Sequence, residues 1–175
     1  MDLDDPRQDA ASTPGWTVAV AYDTFAVGLF RYALMILADR QGAEDAEQQA
    51  FAKLLSAPDR ARRIESLEAY LRTAVRNECY SLLRRRRREP ASDGDSLLEI
   101  ADPTVGSEPD RLALEAALRT LPPEQREVVF LKVYDGRSLR EIGEALGESA
   151  NTIASRYRYA MEKLRRLLQP GEGEA

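Results

Sequence analysis

The sequence contains no histidine and a single cysteine, Cys79, among its 175 residues. Without histidine there can be no Ser-His-Asp or Cys-His nucleophilic system and no histidine-ligated metal site. One cysteine cannot form an internal disulfide, which is typical of a protein from a reducing cytoplasm. The sequence also lacks a glycine-rich phosphate loop and any metal-spaced cluster. These absences predict a protein that is not an enzyme and that has no cofactor and no metal.

The sequence also lacks a long uninterrupted apolar run, since none approaches the ~20 residues that span a bilayer. Its acidic start, MDLDDPRQDAASTPGWTVAV, has neither the basic beginning nor the apolar stretch of a signal peptide. With 43% hydrophobic and 31% charged residues, the chain has the composition of a soluble folded protein. We therefore expect a cytoplasmic location and no membrane insertion.

The net charge of −5 is distributed unevenly along the chain. Residues 18–88 sum to +4 and residues 111–168 to +3, whereas residues 89–110 sum to −7 with no base, three prolines and two glycines. Such a segment buries little apolar surface and is typical of a linker. We therefore expect two small domains joined by a flexible acidic linker, with a disordered N-terminal segment at 1–17 and a short tail at 169–175.

The first domain shows helical periodicity and no strand-like alternation. One apolar face recurs at helical spacing through Phe25, Leu29, Tyr32 and Ile36, which predicts a helix from Val18 to Arg40 that ends at Gln41-Gly42. A second helix is expected from near Ala43, and a third from about Ile64 to the arginine run. Their expected inward residues are Ala50, Phe51, Leu54 and Leu55, and Ile64, Leu67, Leu71, Ala74 and Val75. The pattern predicts an all-α bundle.

Five consecutive arginines, Arg84 to Arg88, follow this third helix. A solvated helix end whose cations complement the helix dipole accounts for one or two of them. Five neighbouring cations repel one another, and a polyanion relieves that repulsion, so the run favours phosphate contact. An address signal is a weaker alternative.

The second domain carries a helix-turn-helix pattern. Leu114, Leu118 and Leu121 predict a short helix over residues 108–121, and Pro122-Pro123 begins another that closes at Asp135-Gly136. Three further signals follow: a capping box at Ser138 and Glu141, a glycine at 147 suited to a left-handed helix end, and Ser149 as a second cap. Two helices joined by about three residues around a glycine form a helix-turn-helix. The buried stripe expected on the last helix comprises Ile153, Tyr157, Ala160, Met161, Leu164, Leu167 and Leu168.

The opposite face of the last helix presents short or hydrogen-bonding side chains and an arginine. These are suited to base edges in a major groove: Ala150, Asn151, Ala154, Ser155 and Arg158. Thr152 and Arg156 are placed to hold phosphates. The alternative is an ordinary helical hairpin with a polar outer face, and Glu148 in the turn conflicts mildly with DNA contact because its charge faces the expected phosphates.

Taken together, the two domains resemble a bacterial RNA polymerase sigma factor of the extracytoplasmic-function (ECF) type, with regions two and four. AEDAEQQAF resembles the helix that docks on the β′ clamp helices, and YLRTAVRNECYSLLRRRRR the helix that opens and reads the minus-ten element. The stretch from LRTLPPEQREVVF to AMEKLRRLL resembles region four almost end to end. The sequence departs from the family pattern at Ala46, Glu47, Tyr70, Ser81, Glu148 and Tyr159.

The resemblance implies a binding mechanism rather than catalysis. The implied partners are promoter DNA and core polymerase, through the β′ clamp helices and the β flap, with a separate anti-sigma factor as a further candidate. The residues implied to bind core polymerase are Glu44, Asp45, Gln48, Gln49 and Phe51. Those implied to bind DNA in the first domain are Arg76, Asn77, Arg84, Arg85, Arg86, Arg87 and Arg88. The linker is implied to enter the polymerase active-site and RNA-exit path.

A stand-alone helix-turn-helix regulator is the alternative. In such a protein the first domain would sense a signal or dimerise, and the protein would footprint an operator without polymerase. The paired domains and the order of their motifs favour the sigma factor.

Overall fold

The computed structural model describes residues 17–56, 64–88 and 107–169. These ranges contain seven α-helices and no strand: α1 Val18–Leu37, α2 Arg40–Ser56, α3 Leu67–Arg86, α4 Glu108–Arg119, α5 Pro123–Val133, α6 Leu139–Leu146 and α7 Ala150–Leu168. The expected all-α fold is therefore confirmed. The first three helices form one bundle and the last four form a second unit.

The core of the first bundle follows the predicted face of α1. Leu29, Tyr32 and Ile36 are buried, Phe25 is half-buried at the edge, and α1 packs against α2 and α3. Thr17 caps the helix by accepting a hydrogen bond from the Val20 amide at 3.2 Å. These contacts fix the orientation of α3.

The break between α1 and α2 differs from the prediction that Gln41-Gly42 ends the first helix. The chain turns at Ala38, which has a φ of 53°, and α2 begins at Arg40 because Asp39 accepts a hydrogen bond from the Gly42 amide at 2.9 Å. Gly42 lies inside α2, close to the side chains of Asp39 and Arg86. A Cβ there would lie 2.5 Å from Asp39 Oδ2 and 2.8 Å from Arg86 Nη2.

Several predicted boundaries and inward residues were also wrong. The third helix begins at Leu67, not Ile64, because Ser66 accepts a hydrogen bond from the Ala69 amide at 3.3 Å. Leu55 is 60% exposed because it lies past the edge of the buried stripe of α2. Leu167 and Leu168 are 47% and 37% exposed because the last turn of α7 extends beyond the helices that pack on it.

The second unit begins with a capping box that the sequence analysis missed. Ser107 Oγ accepts from the Asp110 amide at 3.4 Å, and Asp110 Oδ2 accepts from the Ser107 amide at 3.3 Å. The helix α4 therefore begins at Glu108, so the last residues of the segment assigned to the linker, 108–110, form its first turn. Residues 89–106, like 1–16, lie outside the described ranges.

The helix-turn-helix of α6 and α7 is confirmed in its predicted details. The Ser138 amide donates to Glu141 Oε2 at 2.7 Å, and Ser138 Oγ accepts from the Glu141 amide at 3.2 Å. Gly147 ends α6 in the left-handed conformation, with a φ of 69°, and Ser149 caps α7 by accepting from the Thr152 amide at 3.1 Å. This turn sets the direction of α7 relative to α6.

The two units pack against each other, which the expectation of two linked domains did not include. Helix α5 lies against α1. The buried Arg126 guanidinium donates to the carbonyl oxygens of Met35, Ile36 and Leu121 at 2.7, 2.6 and 2.5 Å. It thereby satisfies acceptors at the C-terminal end of α1, which otherwise have no helical partner.

Helix α1 is long and apolar enough on average to meet the length and composition of a membrane span, with a mean hydropathy of 1.4. The search for an uninterrupted apolar run missed this property because Asp23 and Arg31 interrupt the helix. Residues of α1 that raise the average, such as Leu34 and Leu37, are buried in the protein core. Of the apolar window, 44% is buried in the protein, where α1 packs against α2, α3 and α5.

Candidate nucleic-acid interface

One face of α3 is anchored in the core and the other is open. Leu71, Val75 and Cys79 recur every four residues and are fully buried. On the opposite side Asn77 is exposed. The regular anchoring holds the direction of the exposed side chains fixed along the helix.

The arginine run continues α3 rather than forming a separate loop. Arg84, Arg85 and Arg86 form the last helical turn, Arg87 and Arg88 follow it, and all five are exposed. Arg86 is paired with Asp39 at the α1–α2 turn. The other four make no ion pair with a residue that the structure describes. Among the described residues, only Asp39 pairs with a member of this run, so the end of α3 carries concentrated positive charge there.

Arg76 lies in a different environment from the arginine run. Its Nε donates to Glu127 Oε1 at 2.7 Å, and its side chain is 28% exposed. Burial alone would lower the pKa of Arg76, but the contact with the Glu127 carboxylate raises that pKa above its ordinary value. Arg76 is therefore a fixed cation that is bound within the protein, whereas Asn77 beside it is open.

Cys79 is fully buried beside these residues. Burial, followed by the nearby charges of Glu127 and Glu78, raises the pKa of its thiol well above the ordinary range. A protonated, inaccessible thiol is a poor nucleophile. Cys79 therefore acts as a packing residue of α3.

The N-terminal half of α7 presents the predicted polar face. Ala150, Asn151 and Arg158 are exposed, while Ile153 and Ala160 are buried on the opposite side. The remaining predicted DNA-binding residues of this helix are half-buried at the edge of the face: Thr152, Ala154, Ser155 and Arg156. The structure thus brings all seven predicted residues to one end of one helix.

Two of these residues have partners that the sequence analysis missed. Arg156 Nη2 donates to Glu148 Oε1 at 3.0 Å, and the Thr152 hydroxyl lies 2.8 Å from Ser149 Oγ. Glu148 therefore faces Arg156 across the turn. The apparent conflict of an acid near the phosphate side becomes an internal ion pair that partly neutralises a predicted phosphate contact.

The predicted polymerase-binding residues of α2 divide into an exposed and a buried set. Asp45, Gln48 and Gln49 are exposed, and Glu44 is half-buried in an ion pair with Arg40 at 3.1 Å. Phe51 is only 5% exposed because its ring packs 5.0 Å from that of Tyr22. Phe51 therefore supports this surface from below rather than forming part of it.

Glu47 is the unusual residue of this helix, since it is 7% exposed and its Oε1 accepts no hydrogen bond from the described residues. Burial, and secondarily the charge of Glu44, raises the pKa of the Glu47 carboxyl, while a hydrogen bond with Tyr22 opposes that shift. The carboxylate form is therefore disfavoured inside the bundle.

Sequence analysis gave no role to the acids that hold the two units together. Glu127 is fully buried and Asp135 pairs with Arg72 of α3. Adjacent charged residues, Arg126-Glu127, within the apolar run of EQREVVFLKV were the signal that could have found this interface, because a buried charge requires a partner.

An apolar groove of about 610 Å³ opens beside the interface of the two units. It is bordered by α1, α4, α5 and α7, and its wall includes Met35, Leu118, Phe130 and Met161. Arg31 and Arg165 stand among its lining residues. The groove joins surfaces from both halves of the chain.

Comparison with known proteins matches both units to one family. Residues 21–89 match the Sigma-70 region 2 family and residues 111–164 match the Sigma-70, region 4 family. The chain is 32% identical to the ECF RNA polymerase sigma factor SigL of Mycobacterium tuberculosis, covering 91% of this chain and 93% of the relative. It is 30% identical to the RNA polymerase sigma-E factor of Streptomyces coelicolor, covering 80% and 79%.

A solved structure agrees with these matches. The sigma factor RpoE from Bartonella quintana, crystallised with the anti-sigma factor NepR, is similar with a TM-score of 0.69 and 25% identity, covering 85% of this chain and 94% of that one. Matches to both regions, in order, disfavour a stand-alone regulator, which would need neither the region-two unit nor its position before region four. The chain belongs to the ECF RNA polymerase sigma factors, which bind core RNA polymerase and direct transcription initiation at promoters.

Proposed function

We propose that three surfaces of this sigma factor have separate binding functions in transcription initiation. Helix α3 engages the minus-ten element, α7 engages the minus-thirty-five element, and α2 attaches to core RNA polymerase. The observation that carries the proposal is the exposed polar face of α7, which leaves the Gly147 turn with Asn151 and Arg158 open to solvent. A helix with an exposed polar face of this kind fits the major groove.

On α7, different residues recognise the bases and contact the phosphates. Asn151 and Arg158 have side chains that can make paired hydrogen bonds to base edges, Asn most often to adenine and Arg to guanine. Ala150, Ala154 and Ser155 are short, so they let the helix approach the bases closely. Thr152 and Arg156 hold phosphates beside the groove, with Arg156 released from Glu148 when DNA binds.

On α3, the exposed arginines at the end of the helix attract the non-template strand while Asn77 meets an unstacked base. Arg84, Arg85, Arg87 and Arg88 supply charge without competing ion pairs among the described residues, and Arg76 completes the surface once it is free of Glu127. Flipping a base costs a few kcal/mol. Phosphate contacts and polymerase binding together offset that cost.

On α2, the exposed residues Asp45, Gln48 and Gln49 form the proposed contact with the β′ clamp helices, supported by Phe51 and flanked by Glu44. Region four is proposed to meet the β flap. The linker, 89–110, is proposed to enter the RNA path of polymerase, because seven acids and no base suit a channel that holds RNA at other times. The protein acts in the cytoplasm and contributes no catalytic group of its own.

A separate anti-sigma factor is a further proposed partner. The relative RpoE was solved in complex with one, and the apolar groove between the two halves of this chain offers an apolar helix a place to dock. Leu114 lies on the groove wall and is 36% exposed. Leu114→Glu should weaken the binding of such a partner at least tenfold, and unchanged binding would place the partner on another surface.

The α7 assignment is tested by promoter selection with reconstituted holoenzyme. Asn151→Ala and Arg158→Ala should change the preferred base at one or two minus-thirty-five positions, at a cost of about 1–3 kcal/mol for each base contact. Arg166→Ala, an exposed arginine at the other end of α7, is the matched control and should leave the preference unchanged. An unchanged preference in the first two variants would overturn the assignment.

The α2 assignment is tested by core polymerase binding. Asp45→Ala and Gln48→Ala should weaken binding of the full chain to core polymerase about tenfold each, while Asp23→Ala on the exposed side of α1 should not. Binding that is equal in all three variants would place the polymerase contact on another surface.

A further inference from the structure

Asp39 lies in the short turn between α1 and α2, where it contacts both the start of α2 and the end of α3. Its Oδ2 accepts a hydrogen bond from the Gly42 amide at 2.9 Å, and its carbonyl oxygen accepts from the Ala43 amide at 3.0 Å. Asp39 therefore caps α2, at the helix end where free amides and the helix dipole favour a carboxylate. The same Oδ2 also accepts from Arg86 Nη2. One carboxylate thus joins the first turn of α2 to the last turn of α3.

The end of α3 carries charges that oppose its own helical structure. Residues 84–88 are five neighbouring arginines, and like charges four residues apart destabilise a helix. The Arg87 amide nevertheless donates to the Leu83 carbonyl oxygen at 3.1 Å, so helical hydrogen bonding continues into the run. Among the residues that the structure describes, Asp39 is the one acid that pairs with the run. The pair therefore opposes the repulsion that would unwind the last turn.

Gly42 lies close to both members of this pair. A Cβ at position 42 would lie 2.8 Å from Arg86 Nη2 and 2.5 Å from Asp39 Oδ2, closer than unbonded atoms normally approach. Both atoms lie at the ends of side chains, so these side chains would have to move. A methyl group at position 42 is therefore expected to disturb the pair without changing any charge.

The pair connects two surfaces that have separate proposed functions. The proposed polymerase contact of α2 begins at Asp45, less than one turn after Gly42. Helix α3 ends in the arginine run, and Arg86 is the middle residue of that run. Holding Arg86 therefore sets the position of the neighbouring arginines relative to the polymerase contact.

Charge alone gives the opposite expectation for Asp39. A carboxylate beside the arginine run repels phosphates and competes with them for Arg86. If this were its only effect, removing the charge would tighten DNA binding and steepen its salt slope by about 0.7, the contribution of one phosphate contact on single-stranded DNA. If Asp39 holds the run in place, removing the charge weakens binding, because the end of α3 frays and the arginines lose their common arrangement. The sign of the effect separates the two roles.

We propose that Asp39 is a positioning residue for promoter binding, which acts through Arg86 to hold the arginine run of α3 against the start of α2. Asp39 itself contacts neither the DNA nor the polymerase. This inference rests on the proposed function of the arginine run at the minus-ten strand. It adds that the arrangement of these arginines, as well as their number, determines the affinity.

The test uses holoenzyme assembled from the full chain and core polymerase, and a fluorescent single-stranded oligonucleotide with the minus-ten sequence. Asp39→Asn keeps the helix cap, since asparagine caps as well as aspartate does, and it removes the charge that binds Arg86. Because the arginines lose their preorganisation, strand affinity should fall about fivefold, with no steeper salt slope and no change in affinity for core polymerase. The matched control is Asp23→Asn, at an exposed acid about 20 Å along α1 from the turn, which should change neither affinity.

Two further variants test whether the effect passes through Arg86. In an Arg86→Met background, Asp39→Asn should cause no additional loss of strand affinity. Gly42→Ala keeps every charge and should lower strand affinity by about two- to threefold, so it keeps the inference testable if Asp39→Asn lowers the helix content. A fivefold loss that persists in the Arg86→Met background would show that Asp39 does not act through Arg86.

Tighter or unchanged strand binding in Asp39→Asn and Gly42→Ala would overturn the positioning role. A parallel loss of core polymerase affinity would overturn it as well, because it would place the effect in the fold of α2. The proposed function fails separately, if a variant that combines Arg84→Ala, Arg85→Ala, Arg87→Ala and Arg88→Ala binds the strand normally. Hydrogen exchange of the free protein then still tests the pair, since the amides of residues 86–88 should exchange faster in Asp39→Asn, and equal exchange would contradict the inference.

Discussion

Arg156 on α7 is held by Glu148 in the preceding turn, with Arg156 Nη2 at 3.0 Å from Glu148 Oε1. The pair spans the junction of the helix-turn-helix, and its side chains are 26% and 35% exposed. A partly exposed ion pair of this kind contributes little to folding, about 0.5 kcal/mol. If Arg156 holds a phosphate as proposed, the larger effect of the pair is on DNA binding, because Glu148 would compete with that phosphate for Arg156.

Glu148→Gln should therefore tighten holoenzyme binding to minus-thirty-five DNA about threefold and steepen its dependence on salt, because one more cation becomes available to phosphate. Fluorescence anisotropy at several salt concentrations measures both quantities. Glu144→Gln, an exposed acid of α6, is the control and should change neither. Weaker binding in Glu148→Gln would show that the pair positions Arg156 rather than restraining it.

The arginine run is expected to determine the salt dependence of minus-ten engagement. Replacing Arg84, Arg85, Arg87 and Arg88 by alanine, while keeping Arg86 and its pair with Asp39, should lower the salt slope of strand binding by about 3, since each phosphate contact contributes ~0.7 on single-stranded DNA. Titration of holoenzyme with minus-ten DNA at several salt concentrations gives the slope.

The matched control for the arginine run is Arg111→Ala, a half-buried arginine in α4 of region four. It leaves the charge of α3 intact, so its slope should equal that of the unsubstituted protein. If the variant with all four arginines replaced has the same salt slope as the unsubstituted protein, the arginine run is not part of the DNA-binding surface.

Arg126 should be the costliest single side chain to remove from the interface between the two units. It is 5% exposed, and Arg126→Met leaves the carbonyls of Met35, Ile36 and Leu121 unpaired in the interior. We expect a loss of about 3 kcal/mol in the free energy of unfolding, measured by urea denaturation. Arg140→Met, at an arginine whose side chain is 81% exposed, should cost less than about 0.5 kcal/mol. Equal losses would mean that the buried contacts do not stabilise the fold.

We expect the free energy of unfolding to depend on pH through the buried carboxyl of Glu47. Burial raises the pKa of its carboxyl above 4.5, so the folded protein binds this proton more tightly than the unfolded chain does. The cost of burying the ionised Glu47 carboxylate is absent below the pKa that this group has in the unfolded chain. The cost reaches its full size once the pH exceeds the raised pKa of the group in the folded protein. Glu47→Gln should thus increase the free energy of unfolding by about 1 kcal/mol at pH 7 and have little effect near pH 4.

Glu65→Gln is the control for this pH dependence, since Glu65 is exposed before α3. Its stability should follow that of the unsubstituted protein at both pH values. If Glu47→Gln increases the free energy of unfolding by the same amount at pH 4 and pH 7, the charge of Glu47 is not the cause of the increase.

Local sequence signals were sufficient for the helices and for the helix-turn-helix. The capping pair of Ser138 and Glu141 and the left-handed Gly147 depend on neighbours within a few residues, so their geometry can be inferred from spacing. The same holds for the exposed face of α7, because Ile153 and Ala160 fix which side is buried. The α1–α2 break was misjudged because Gly42 resembles a helix stop but lies inside α2, where the Asp39 side chain accepts a hydrogen bond from its amide.

Contacts between the two halves could not be inferred in this way. Glu127 meets Tyr32 and Arg76 across 95 and 51 residues of sequence, and periodicity carries no information at that distance. The pairing of Glu148 with Arg156 was missed for a related reason, since it depends on the angle that the turn gives to α7. Charge patterns predicted which surfaces attract DNA, but only the folded structure shows which of those charges are already paired.

The central claim is that this chain directs core RNA polymerase to promoters through regions two and four. The most direct measurement is run-off transcription with purified chain, bacterial core polymerase and templates that carry a selected promoter or the same promoter with its minus-thirty-five element scrambled. We predict a transcript of defined length from the intact promoter, and its loss from the scrambled template or in the absence of the chain. A footprint on the promoter without polymerase, combined with no transcript from the reconstituted mixture, would contradict the account.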